Sequence, residues 1–222
     1  KLIQVIEYNQ ENGKQVQYHT AYTYNAAGDM LTVTNHYGNI TTINYDTLGR
    51  KISMTDPDMG TWSYTYDPNG NLLTQTDSKN QTITFTYDKL NRLLTKTYST
   101  ADPPVTYTYD NLVIPNGRGR LYSAANTNAT TTINGYDTMG RTLSSSKTIA
   151  GDLNTYITSC TYDLTGKTKT MTYPDNYQVN YSYYAGSELL WKVAGNSDSR
   201  EYARLEDYEP SGKIGKLYQE DG

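Results

Sequence analysis

Apolar and polar residues alternate one by one through much of this chain. In Thr82-Ile83-Thr84-Phe85-Thr86-Tyr87 the residues Ile83, Phe85 and Tyr87 share one face and the threonines share the other. Trp62, Tyr64 and Tyr66 repeat the pattern, as do Val105, Tyr107 and Tyr109. Period-two alternation of aromatic and β-branched residues predicts half-buried antiparallel strands. Many of these runs stop at a tyrosine, and nine tyrosines recur as anchors: Tyr24, Tyr45, Tyr66, Tyr87, Tyr109, Tyr136, Tyr162, Tyr184 and Tyr208, spaced by 21 to 27 residues. At seven of them Gly or Asn follows four residues later.

The segment after each anchor is built for a tight turn. The clearest copies are Tyr45-Asp46-Thr47-Leu48-Gly49-Arg50, Tyr66-Asp67-Pro68-Asn69-Gly70-Asn71, Tyr87-Asp88-Lys89-Leu90-Asn91-Arg92 and Tyr136-Asp137-Thr138-Met139-Gly140-Arg141, with Tyr162, Asp163 and Gly166 forming a looser one. Asp opens a type I turn because its carboxylate caps the amides that follow. Gly fits the fourth place, where a left-handed residue completes a three-residue hairpin loop with a bulge. Asn91 fills that place in the Tyr87 copy, and Asn is the non-glycine residue that best tolerates positive φ.

A second turn falls about fourteen residues after an anchor, at Asn35-His36-Tyr37-Gly38, Asp56-Pro57-Asp58-Met59-Gly60 and Asp77-Ser78-Lys79-Asn80. One repeat is then a hairpin plus its link to the next, with strands of roughly six to eight residues. Two copies depart from this form. The turn after Tyr109 is lengthened from Asn111 to Arg120, and in Tyr184-Ala185-Gly186-Ser187-Glu188 the glycine stands out of place. No long helix is predicted: the best candidate, Ser187 to Leu205, is interrupted by Gly195-Asn196-Ser197 and lacks a sustained helical stripe.

A fixed period of this size means that each unit buries its apolar face only by stacking on its neighbours. The fold class expected is all-β, an elongated sheet of repetitive antiparallel hairpins. Residues 1–222 read as one array of about nine repeats of 21–27 residues, without a linker. The chain starts at Lys1 without Met and ends in Gln219-Glu220-Asp221-Gly222, just past a repeat turn, so it reads as a segment excised from a longer protein.

Composition sharpens this picture. Ile, Leu, Val and Phe make up 36 of 222 residues, a share low enough to suggest disorder only when net charge is high. The formal charge is −4, and 24 tyrosines stand in for the missing aliphatics. Tyr offers a large apolar ring with a hydroxyl that stays wet or bonded, which suits a sheet without a thick dry core. The charge leaves no electrostatic footprint for nucleic acid, the densest basic spot being Arg118-Gly119-Arg120. No apolar run reaches the roughly 18 residues of a membrane span, and no signal peptide opens the chain. The single cysteine, Cys160, excludes an internal disulfide and reads as a packed thiol.

The anchors and turns together resemble the YD-repeat, or Rhs, family, whose repeat reads Y-D-x-x-G-R-L followed by a strand, a turn and a strand ending in aromatic-x-Tyr-Asp. Tyr45 to Ile52, Tyr66 to Leu73, Tyr87 to Leu94 and Tyr136 to Leu143 carry it. Thr55-Asp56-Pro57-Asp58, the stretch Thr172 to Tyr181 and the loop Pro115 to Leu121 are family-like too. Proteins similar to this include bacterial Rhs and polymorphic toxins, B and C components of insecticidal toxin complexes, wall-associated proteins and teneurins. The resemblance implies a curved or spiralling sheet that forms a hollow shell. In the toxins such a shell encloses a C-terminal toxic segment, so the implied partners are further repeats and a C-terminal cargo of the parent chain. It also implies a secreted or cell-surface bacterial location, and for some members glycan or receptor binding.

Catalytic chemistry finds little support. His19 and His36 are the only histidines, and no spacing of His, Cys and acidic residues suits zinc. No G-x-S-x-G elbow occurs, and Ser144-Ser145-Ser146 reads as strand. Glu201, Glu206 and Glu209 read as a solvated face, and Asp56 and Asp58 lack the further ligands of a calcium loop. The self-cleavage element of toxin-type members has a D-P core, but Asp56-Pro57 and Asp102-Pro103 lie mid-array and read as turn formers. We expect no enzyme, no metal and no cofactor. The functional readings left are a shell wall, a glycan-binding face with Trp62 and Trp191 as first candidates, and an adhesive spacer.

Overall fold

The computed structural model describes residues 1–11, 13–196 and 200–219. They form nineteen strands and, among the described residues, no helix. The chain divides into two compact units, Lys1–Val105 and Thr106–Gly222. The first holds β1 (Gln4–Glu11), β2 (Lys14–Tyr24), β3 (Met30–Thr34), β4 (Ile40–Tyr45), β5 (Lys51–Asp56), β6 (Gly60–Tyr66), β7 (Leu72–Thr76), β8 (Thr82–Tyr87) and β9 (Leu93–Tyr98). The second holds nearly all of β10 (Val105–Tyr109), then β11 (Leu121–Ala125), β12 (Ala129–Tyr136), β13 (Thr142–Ile149), β14 (Thr155–Tyr162), β15 (Thr168–Thr172), β16 (Gln178–Tyr183), β17 (Leu190–Gly195), β18 (Glu201–Glu206) and β19 (Lys216–Gln219).

Within each unit every strand pairs antiparallel with the next in sequence. Among the described residues the last strand of a unit never returns to the first, so neither unit closes into a barrel. The all-β array of antiparallel hairpins is the fold. Strands run from four to eleven residues rather than six to eight, the longest being β2, whose register with β1 continues from Ala21 down to Lys14. The segment read as a helix candidate forms β17 and β18; Ser197 lies outside the described residues, as do Glu220, Asp221 and Gly222.

The alternation in sequence becomes two unlike faces. Along β6, Trp62, Tyr64 and Tyr66 are half-buried while Thr61, Ser63 and Thr65 are exposed. On the polar face, hydroxyls pair across neighbouring strands, as in Thr23–Thr32, Thr65–Thr74 and Thr86–Thr95, each at 2.6 Å. Such pairs add a few tenths of a kcal/mol apiece, about 0.2–1. Among the described residues only Tyr136, Val179 and Leu205 are buried hydrophobics, and no large side chain is fully enclosed. Stability is therefore spread along the sheet as many small neighbour-to-neighbour terms, the energetic form of a repeat array.

A register shift marks the anchor end of eight hairpins. It falls immediately before Tyr24, Tyr45, Tyr66, Tyr87, Tyr109, Tyr162 and Tyr183, and beside Tyr136. In the eighth copy the anchor is thus Tyr183 and not Tyr184. Tyr183 pairs with Leu190, and Tyr184 takes the place that Asp holds elsewhere, with its N–H donating to Leu189 O at 3.0 Å. One added residue in this turn moves the glycine out of its usual slot.

Candidate functional site

Each plain turn is closed by the same pair of backbone bonds. In the Tyr45 copy Asp46 N–H donates to Arg50 O at 2.9 Å and Gly49 N–H to Asp46 O at 3.1 Å. The Asp67, Asp88, Asp137 and Asp163 turns repeat both bonds. Gly49, Gly70, Gly140 and Gly166 stand at φ of 75°, 89°, 85° and 95°, and Asn91 at 59°. The aspartate carboxylate works from inside the turn. Asp46 Oδ1 accepts from the amides of Leu48 and Arg50, each at 2.9 Å, and Oδ2 accepts from Arg50 Nε at 2.7 Å. Asp88 with Arg92 and Asp137 with Arg141 have the same geometry.

These contacts hold the carboxyls below the ordinary value of 3.8. The Arg50 amide is the main cause at Asp46 and the Arg92 amide at Asp88. The Asn71 side chain leads at Asp67 and the Thr165 hydroxyl at Asp163. At Asp137 partial burial pushes the other way, but the Arg141 amide and guanidinium outweigh it.

The arginine then reaches the next repeat. The Arg50 guanidinium lies over the ring of Tyr66, 4.9 Å from its centroid, while Nη1 donates to Asp67 O at 2.9 Å. Arg120 covers Tyr136 at 5.5 Å, Arg141 covers Tyr162 at 4.4 Å, and Lys167 covers Tyr183 at 4.9 Å. A cation over an aromatic face contributes about 0.5–1 kcal/mol at a partly exposed site.

The anchor tyrosine completes the link from its far end. Its hydroxyl donates to the carbonyl of the first residue of the strand that follows the preceding turn. Tyr66 reaches Lys51 O at 2.7 Å, Tyr87 reaches Leu72 O at 2.9 Å, and Tyr136 reaches Leu121 O at 2.7 Å. Tyr162, Tyr183 and Tyr208 bond Thr142 O, Thr168 O and Leu190 O in the same way. Burial pushes the phenols of Tyr66, Tyr87, Tyr136, Tyr162 and Tyr183 above 10.0. Turn, cation and ring therefore form a staple between successive repeats.

Three copies do without the cation, with Asp29, Asn71 and Leu189 in its slot. In the Tyr66 turn the arginine slot holds Asn71, whose amide donates to Asp67 Oδ2 and to Asn91 Oδ1, both at 2.8 Å. Sequence reading singled out the turns but missed this coupling, and it missed the roles of Arg92, Arg141, Lys167 and Tyr183. The recurrence of a basic residue directly after the glycine was the available signal.

The two tryptophans have different surroundings. Trp191 sits at the bulge that the register shift creates in β17, the slot held by Ile52 in β5, Leu73 in β7 and Leu94 in β9. Trp62 faces Met54 across β5 and β6, and its indole N–H donates to Met59 O at 3.2 Å. It lines a shallow cleft together with Gln75, Asp77, Tyr98 and Asp102. His19 and His36 stack with centroids 6.1 Å apart, beside Tyr18 and Tyr37. Among the described residues no group of three or more His, Cys, Asp or Glu is placed to hold a metal ion. Burial raises the Cys160 thiol above its ordinary value.

The geometry thus defines an all-β array of hairpins stapled turn to turn. Two overlapping stretches, residues 45–82 and 66–103, match the RHS repeat. No curated protein matches it in sequence. Its fold is similar to that in the crystal structure of TcdB2–TccC3, with a TM-score of 0.70 at 18% identity over 99% of this chain and 13% of that one. The Photorhabdus luminescens Tc holotoxin pore gives a TM-score of 0.70 at 17% identity over 98% of this chain and 12% of that one. The chain spans about an eighth of the length of the structures it matches.

Proposed function

We propose that residues 1–222 are one continuous stretch of a repeat wall in a larger secreted or cell-surface bacterial protein, and that the wall encloses a toxin or effector segment of the same parent chain. The role is structural, and the turn residues Tyr, Asp, Gly and Arg act as staples and not as catalysts. The observation that carries this reading is the staple itself. In the Tyr45 and Tyr136 copies the aspartate, the arginine and the next tyrosine are committed to one another, which serves cohesion. The fold shared with toxin-complex structures supports the same reading.

Limited proteolysis of the full-length parent with intact-mass analysis tests it. A C-terminal fragment that is severed yet protected, and that stays associated with the repeats, is the expected result. Free digestion of everything beyond the repeats removes the enclosure. Glycan binding is the second reading, favoured by the Trp62 ring beside the amide and carboxyl groups of Gln75, Asp77 and Asp102. Aromatic faces stack on sugar rings while such groups bond hydroxyls. Saturable glycan binding lost in Trp62→Ala, with folding retained, would establish it; a glycan array without saturable binding retires it.

A further inference from the structure

The second turn of a repeat opens and closes on polar residues. In the turn from Asn35 to Asn39 the Asn35 Oδ1 accepts from the amides of Tyr37 and Asn39, and in the turn from Asp77 to Gln81 the Asp77 Oδ1 accepts from those of Lys79 and Gln81, at 2.8 to 3.0 Å. Between β15 and β16 the same backbone turn, with Tyr173 N–H donating to Tyr177 O at 2.8 Å, has tyrosine at both of those places. The cap passes to Asp175, whose Oδ1 accepts from the Tyr177 amide at 2.9 Å. The turn therefore closes without the help of either ring, and the two aromatics call for another explanation.

Strand register puts both rings over one spot of the sheet. Tyr173 and Tyr177 extend the β15–β16 ladder one step past the Thr172–Gln178 pair, so they share a face with Val179 and Tyr181. Tyr181 pairs with Val193 of β17, and Tyr202 of β18 stands on the far side. These four tyrosines and two valines line a cleft of about 320 Å³. Val179 is one of the few buried residues of the sheet, at 6% exposure. The volume lies at the lower end of the roughly 300–1,000 Å³ usual for small-molecule sites.

The chemistry of the cleft narrows its ligand. The Tyr202 hydroxyl donates to that of Tyr177 at 2.7 Å, and their rings meet edge to face with centroids 6.3 Å apart. Burial, and after it the adjoining Tyr173 phenol, raises Tyr181 above 10.0, so its ring stays neutral. Among the described residues no charged side chain lines the cleft. A sugar would bring several hydroxyls to a site whose own are turned on one another, and unpaired polar groups are costly. A primary ammonium would give up its bonds to water for the same poor return. An alkylated ammonium carries charge without any N–H, and aromatic faces are its natural surroundings. The Tyr202 ring already draws one cation, the Arg200 guanidinium, which lies 5.6 Å from its centroid and does not line the cleft.

We propose that this cleft binds a small quaternary ammonium compound, with the methylated head seated among Tyr173, Tyr177, Tyr181 and Tyr202. The valines meet the methyl groups, and the ring faces meet the charge. The site does not depend on whether the array encloses a cargo or binds a glycan elsewhere.

Calorimetric titration of the full-length parent with choline, beside its neutral isostere in which carbon replaces nitrogen, is the test. Saturable choline binding, with the isostere at least about tenfold weaker, is the expected result. Tyr202→Leu should abolish the binding, whereas Tyr202→Phe, which keeps the ring, should retain most of it. Absence of saturable choline binding overturns the proposal, as does equal affinity for the isostere or full affinity in a folded Tyr202→Leu parent. Uptake of the parent by phosphatidylcholine vesicles without binding of free choline overturns it too, because the cleft would then be a membrane contact. If Tyr202→Leu does not fold, the ratio of choline to isostere affinity on the unaltered parent decides.

Discussion

The turn after Tyr45 and the loop after Tyr109 solve one problem at two lengths. In the first, three residues separate Asp46 from Arg50; in the second, nine separate Asp110 from Arg120. Both are closed by the same bond, from the aspartate N–H to the arginine carbonyl, at 2.9 Å and 3.1 Å. Both place the arginine over the next anchor ring, Arg50 over Tyr66 and Arg120 over Tyr136. The insertion enters at the tip and leaves the staple intact. It also adds something, because the loop folds back so that Asn116 Nδ2 donates to Tyr136 O at 2.8 Å and Tyr136 N–H donates to Pro115 O at 3.1 Å. That cover leaves Tyr136 only 7% exposed, while Tyr66 stays half-buried. The constant unit of the fold is therefore the bond between Asp and Arg and its reach to the next ring; the number of residues between them is free. Insertions belong at such tips, where the closure cost rises only slowly with length.

The comparison breaks most readily at the glycines. Gly140 stands at φ +85°, and a Cβ there would lie 2.6 Å from Arg120 Nη2. Gly140→Val should cost about 3 kcal/mol, combining left-handed strain with displacement of Arg120 from Tyr136. Gly70 has φ +89°, and a Cβ added to it would meet nothing within 4 Å, so Gly70→Val should cost about 1–2 kcal/mol from strain alone. Asn69→Val, at a tip residue without positive φ, should cost much less. Urea unfolding of the three variants measures the series, and equal costs at Gly70 and Asn69 would show that the left-handed slot has been misplaced.

The tyrosine hydroxyls come next. Tyr136→Phe removes a bond inside the covered site and strands Leu121 O, so it should destabilise by about 1–1.5 kcal/mol. Tyr66→Phe removes the matching bond to Lys51 O in a wetter setting, where water replaces the donor, and should cost about 0.5 kcal/mol. Thermal unfolding distinguishes them, and equal losses would mean that the long loop does not shield its tyrosine.

Titration sharpens the same contrast, with opposite signs at the two ends of the pH scale. The turn aspartates have lowered pKa values in the fold, so their stabilisation is present above 3.8 and is lost as pH falls through the folded value. The anchor tyrosines have raised values, so their stabilisation is full below 10.0 and is lost as pH climbs through the folded value. Melting midpoints should be level through neutral pH and fall at both extremes. Tyr136→Phe should flatten the alkaline fall more than the acid one, and a fall of unchanged steepness would count against the tyrosine assignment.

How much of this is readable from sequence follows from which interactions are local. Strand alternation and the Asp-to-Gly spacing of the turns depend on residues a few places apart, so Thr82 to Tyr87 and Asp46 to Arg50 announce their structure. The anchor of the eighth copy is ambiguous in sequence because Tyr183 and Tyr184 adjoin, and only the register of β16 against β17 selects Tyr183. The staple is illegible for a related reason. Tyr66 meets Lys51 and Arg50 across fifteen or more residues, and nothing local to either names the other. Trp191 draws attention as a large aromatic, whereas its place at a bulge shared with Ile52 and Leu73 emerges only from strand pairing.

The smallest effect tests the staple by building one. Asn71 occupies the arginine slot of the Tyr66 turn, and its amide already bonds Asp67 and Asn91. In Asn71→Arg the Nε should meet Asp67 Oδ2 as Arg50 meets Asp46, and the guanidinium should cover Tyr87 as Arg50 covers Tyr66. The added cation–ring contact contributes about 0.5–1 kcal/mol, and the lost amide bond to Asn91, open to water, offsets part of it. A net gain of about 0.5 kcal/mol is expected in chemical denaturation. Repeating the substitution in a Tyr87→Leu background isolates the ring contact, because neighbours that interact fail to add. If Asn71→Arg stabilises both backgrounds equally, the gain comes from the bond to Asp67 alone, and the arginine of the repeat serves its own turn without reaching the next.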